Sequence, residues 1–121
     1  MSRLWKSFTY AAAGIAQLVR EELSIRLMAL AGFIVLVFII VYPLRKWEAI
    51  ILLLLVFSVW VLEVLNSILE RMTDMVKPRL HEGVKTVKDM MAGVVLLSSV
   101  GSLIVGLVIL VPYFIAGVFR W

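Results

Sequence analysis

The stretch AIILLLLVFSVWVLEVLNSILERMTD, residues 49–74, decides how this chain is built. From Ala49 to Leu62 it carries no charge, and it reads as a membrane span, since a helix needs about 20 mostly apolar residues to cross a hydrocarbon core of roughly 30 Å. Beyond Leu62 the helical period continues but turns acidic, through Glu63, Asn66, Glu70 and Asp74. At about 100° per residue, Asn66, Glu70 and Asp74 fall at about −60°, −20° and +20° from Glu63, so these polar groups share one narrow face. Glu63 lies roughly 21 Å along the helix from Ala49 and is still inside the bilayer. An acidic side chain at that depth costs several kcal/mol unless it has a partner or a task.

One explanation of the stripe is structural, with Glu63 and Glu70 pairing with Arg71 or with basic groups on other helices. Three carboxylates on one face repel each other, however, and such a cluster calls for a cation. Oxygen ligands at helical spacing suit Mg²⁺, which binds through one or two carboxylates while phosphates supply the rest.

Working outward, the chain before this stretch predicts two more helices. Residues 2–22 place Leu4, Trp5, Phe8, Ala12, Ile15 and Leu18/Val19 at helical spacing, with Arg3, Lys6 and Gln17 on other faces. That pattern predicts an amphipathic helix lying in the membrane interface. Gln17, Arg20, Glu21 and Glu22 interrupt the apolar run, so it is not expected to be a cleaved signal. A first span is predicted over 25–42, followed by a turn at 43–48. The second span is placed at 49–70 and a polar cytoplasmic connection at 71–89, with Pro78 and Gly83 as breaks in the helical pattern. The last span is placed at 90–112, with Pro112 ending or kinking it. Ser98, Ser102 and Gly106 form a small-residue stripe along which another helix can approach closely.

Composition agrees with a single membrane domain. Of 121 residues, 64% are hydrophobic, and the mean hydropathy is +1.10. There is no cysteine, which excludes disulfides, thiolate metal sites and a cysteine nucleophile. The net charge of +4 does not point to nucleic acid, because basic residues that flank apolar spans set topology and meet anionic headgroups. Arg3, Lys6, Arg20 and Arg26 precede the first span, and Arg71, Lys77, Arg79, Lys85 and Lys88 lie around the second connection. Only Arg45, Lys46 and Arg120 lie on the other side. The N-terminus and second connection are therefore expected in the cytoplasm and the C-terminus outside.

Other candidates adjoin the stripe. Glu22 stands just before the first span with Arg26 four residues on, at the spacing of a surface ion pair. Lys88 and Asp89 stand at the start of the last span, where Lys88 could reach phosphate oxygens or simply snorkel. His81 is the one histidine, and chemistry alone assigns it no role. The sequence contains no glycine-rich phosphate loop of the P-loop kind and no Ser-His-Asp or zinc-ligand spacing.

The run ExxNSxxExxxD from Glu63 to Asp74, then His81, then Lys88-Asp89, resembles the prokaryotic diacylglycerol kinase family, which includes the undecaprenol kinases. The resemblance covers nearly the whole chain. It implies an all-α integral membrane enzyme of the bacterial cytoplasmic membrane: a surface helix, three transmembrane helices, a homotrimer, and active sites shared between subunits. It implies that MgATP phosphorylates a lipid hydroxyl, with Glu63 as general base and Glu22 and Glu70 holding the metal. Asn66 and Asp74 would support the site. Arg3, Tyr10, His81, Lys88 and Asp89 would contact the nucleotide together with Glu22 and Glu70. Departures at Met28, Ile68 and Met91 bear on lipid fit more than on phosphoryl transfer. The rival from another class is a small ion-coupled transporter or channel subunit using Glu63. It would need polar residues through the full membrane depth, and the first span and the outer half of the second lack them.

Overall fold

A computed structural model describes residues 2–76 and 81–117, and among these all regular secondary structure is α-helix. Four helices follow in order: α1 Ser2–Glu21, α2 Leu23–Val41, α3 Lys46–Val76 and α4 His81–Ala116. The last three are long and apolar enough to cross a membrane, while α1 exposes Leu4, Trp5, Phe8 and Ile15 along one side.

The helix ends follow local chemistry. Glu22 interrupts the helix between α1 and α2 in extended conformation. Arg26 donates to the carbonyls of Val19 and Arg20 at 3.0 and 2.9 Å, satisfying acceptors that the end of α1 leaves without helical partners. At the start of α3 the Arg45 backbone N–H donates to the Glu48 carboxylate at 2.9 Å, one half of a capping box. That cap starts α3 at Lys46, ahead of the expected Ala49.

The stretch expected as a long connection, 71–89, is helical on both sides. No breaker interrupts α3 before Val76, two residues ahead of Pro78, whose ring disfavours helix in the residue before it. Gly83, expected as a break, lies inside the first turn of α4. There Glu82 favours the helix N-terminus, and the Thr86 hydroxyl donates to the Glu82 carbonyl at 3.1 Å. Pro112 likewise lies within α4. The stop comes at Gly117, whose φ of 65° is the left-handed conformation that glycine adopts without a Cβ penalty.

Helix α3 is the spine, with α2 and α4 packed along it and α1 joining α2. At the end carrying the α2–α3 turn, Tyr42, Leu44, Leu52 and Ile109 form the buried core. The Tyr113 hydroxyl there donates to the Glu48 carboxylate, tying α4 to the start of α3. Midway, the Trp60 indole N–H donates to the Met28 carbonyl at 2.8 Å. Gly32 makes this contact possible, since a Cβ there would stand 2.4 Å from the Trp60 ring.

Candidate functional site

The unbroken α3 carries the acidic face from the interior outward. Glu63 is buried (8% exposed) and Ser67 almost completely so (1%). Asn66 is half-buried, and Glu70 and Asp74 are exposed. Ser67 is four residues beyond Glu63, about one helical turn on the same side. It lies in the ExxNSxxExxxD run, where its i+4 spacing from Glu63 is the signal that places it beside that carboxylate's face.

Glu63 lines a cavity of about 440 Å³ bounded by Ile15 and Val19 of α1, Ile25, Met28 and Phe33 of α2, and Phe57, Trp60 and Val64 of α3. It is the ionisable group on an otherwise apolar wall. Among the described residues its carboxylate makes no ion pair or hydrogen bond. Arg71, the neighbour expected as a structural partner of Glu63 or Glu70, instead reaches the α1–α2 joint. Its Nη2 stands 2.9 Å from Glu21 Oε1 and 3.3 Å from Glu22 Oε2. Hydrogen bonds from Arg71 and then from Gln17 hold the Glu21 carboxyl below its ordinary pKa. The expected Glu22–Arg26 pair does not form, because Arg26 is committed to the end of α1.

Lys88 crosses from α4 to the stripe and donates to Asp74 at 3.2 Å, while Asp89 accepts from Lys85 at 2.8 Å, one turn back on α4. Glu70 makes no ion pair among the described residues; its backbone carbonyl accepts from the Thr73 hydroxyl at 3.0 Å. The fold therefore links Glu22 to α3 and Asp74 to Lys88. Arg3 and Tyr10 stand exposed on the first half of α1, and neither has a hydrogen bond or ion pair among the described residues. His81 opens α4, with its side chain outside the described residues.

Glu22 and Glu70 offer hard carboxylate oxygens, and among the described residues no three acidic or histidine side chains gather into one group. That donor set fits Mg²⁺ held through one or two carboxylates with phosphate oxygens completing its octahedron, and it does not form an all-protein cage. Chemically, the site offers a buried carboxylate facing an apolar space, with exposed carboxylates and a lysine above it.

Known proteins resemble this chain over most of its length. The family model described as prokaryotic diacylglycerol kinase matches residues 9–110. The undecaprenol kinase of Bacillus subtilis is 34% identical over 112 residues, covering 93% of this chain and 91% of that protein. A diacylglycerol kinase of Synechocystis is 34% identical over 107 residues, covering 88% of this chain and 61% of that longer protein. With an acidic stripe on the second of three membrane-length helices and a family match along most of its length, the chain belongs to the prokaryotic diacylglycerol kinase family of lipid kinases.

Proposed function

We propose that this chain transfers the γ-phosphoryl group of ATP to the hydroxyl of a membrane lipid, converting diacylglycerol to phosphatidic acid or undecaprenol to undecaprenyl phosphate. The observation that carries this reading is Glu63, a buried residue on the wall of an apolar cavity whose carboxylate has no hydrogen bond or ion pair among the described residues. An acyl or prenyl chain fits apolar walls, and its terminal hydroxyl would meet the one group there able to accept its proton. Glu63 is the general base.

Glu22 and Glu70 hold Mg²⁺, which offsets the charge on the transferring phosphoryl group when bound. Lys88 reaches the phosphates, exchanging its contact with Asp74, and Asp89, Arg3, Tyr10 and His81 complete the nucleotide contacts. Asn66 and Asp74 support the stripe. The helix α1 lies in the cytoplasmic interface of the bacterial inner membrane. The N-terminus and the α3–α4 connection face the cytoplasm, and the C-terminus faces outward.

The chain works as a homotrimer. Of an apolar 18-residue window in each of the three spans, only 11%, 22% and 6% is buried within one chain, and a Cβ at the exposed Gly101 would meet nothing within 4 Å. Both facts support close packing of further copies. Against a transport pathway stands the apolar core around Leu52 and Ile109, between Glu63 and the opposite end of the bundle.

Incubating the purified protein with γ-labelled ATP and vesicles containing either lipid tests the reading. Label should appear in one or both lipids and be lost in Glu63→Gln. Unlabelled lipid in both vesicles, or near-normal labelling by Glu63→Gln, overturns it.

A further inference from the structure

Arg71 has a place in the geometry but none in the chemistry above. It follows Glu70 on α3, so its side chain leaves the helix about 100° away from that carboxylate and reaches the α1–α2 joint. There one nitrogen, Nη2, serves two carboxylates, at 2.9 Å from Glu21 and 3.3 Å from Glu22. Resting on the reading of Glu22 as a metal ligand, we propose that Arg71 is a positioning residue, an internal cation that competes with Mg²⁺ for Glu22 and moves wholly to Glu21 when the metal nucleotide binds.

One principle and four observations support the exchange. A guanidinium and a divalent ion on one carboxylate repel each other, so each weakens the hold of the other. The pairs are exposed enough to break: the side chains are 41% exposed for Arg71, 50% for Glu21 and 21% for Glu22, and pairs of this kind are weak. Glu22 lies between two helices in extended backbone and makes no capping bond with its side chain, so changing its partner unwinds nothing. Arg26 holds the end of α1 independently. Glu21 is already the nearer partner, ready to keep the guanidinium. The consequence is a weakened hold on bare metal, which must displace Arg71 from Glu22 unaided.

The test is Mn²⁺ binding to the purified full chain in detergent, followed by electron paramagnetic resonance, first without nucleotide and then with a non-hydrolysable ATP analogue. Without nucleotide, Arg71→Met should bind Mn²⁺ about fivefold more tightly than wild type, the scale of losing an exposed ion pair. Arg71→Lys, which keeps the charge, should stay near wild type, and the gap should persist with the analogue, whose phosphate contacts add alike to both proteins. Lys85→Met removes a cation from the same end and controls for a general charge effect; it should leave Mn²⁺ affinity unchanged. Arg71→Gln serves in place of the Met variant if the latter does not give a folded, monodisperse protein. Equal Mn²⁺ affinity in wild type and Arg71→Met, with weaker binding in Glu22→Gln, overturns the role of Arg71 and leaves Glu22 as ligand. A matching gain in Lys85→Met overturns it too. Unchanged binding in Glu22→Gln removes the ligand reading itself, and this proposal with it.

Discussion

The two ends of the helical bundle use polar groups in opposite ways. At the α2–α3 turn, Glu48 accepts from both the Tyr113 hydroxyl and the Arg45 backbone N–H, and the nearby Tyr42, Leu44, Leu52 and Ile109 are buried. Its polar contacts join α4 to the cap of α3 and are surrounded by apolar packing. At the other end Glu63 is buried, more deeply than the half-buried Glu48, but makes no ion pair or hydrogen bond among the described residues. The ion pairs around it, Arg71 with Glu21 and Glu22 and Lys88 with Asp74, are partly exposed. The difference separates a joint from a site. Contacts that hold helices together are mutually answered and set against apolar packing, whereas contacts that must exchange with a ligand are left weak or unmade.

The largest effect should come from the site. Glu63→Gln is expected to lower the rate of lipid phosphorylation by roughly 10²-fold or more, the scale of losing a general base, with the helical circular dichroism retained. Tyr113→Phe, at the other end, should leave that rate within about twofold, because the two ends share no polar contact; this follows from the same general-base argument. Comparable rate losses in the two variants would erase the distinction.

Stability should respond in the reverse sense. Leu52 is 2% exposed, and Leu52→Ala should destabilise the fold by about 2 kcal/mol or more through the cavity it leaves, measured by denaturing-detergent titration. Tyr113→Phe should cost about 1.5–3 kcal/mol in the same titration, as expected for losing a hydrogen bond to a charged acceptor. If Glu63→Gln destabilised the protein more than either, Glu63 would belong to the structural end of the comparison.

The smallest effect concerns pH. The Glu21 carboxyl lies below its ordinary value of 4.5 because Arg71 and then Gln17 hydrogen-bond to it. A depressed acid stabilises the fold above its unfolded pKa, and that contribution is lost as pH falls through the lower folded value. Wild-type protein should therefore lose slightly more thermal stability below about pH 4.5 than Glu21→Gln does. Parallel pH profiles for the two would show that the Arg71 clamp contributes no pH dependence.

The sequence by itself determined the three spans, the break near Glu22 and the acidic face of α3. Each depends on hydropathy or on the 3.6-residue period, which are local properties of consecutive residues. It misjudged the connection at 71–89, because the polar residues there read equally well as a loop or as the exposed ends of two helices. Only the tertiary structure decided which charge meets which. Glu22 lies four residues from Arg26 but pairs with Arg71, 49 positions away, and Glu48 meets Tyr113 across 65. The same holds for Gly32, which is unremarked in the sequence until the Trp60 ring lies against it, and for the nearly complete burial of Ser67. A helix specifies its own faces, but the residues that meet across two helices depend on their packing and crossing, which no local pattern encodes.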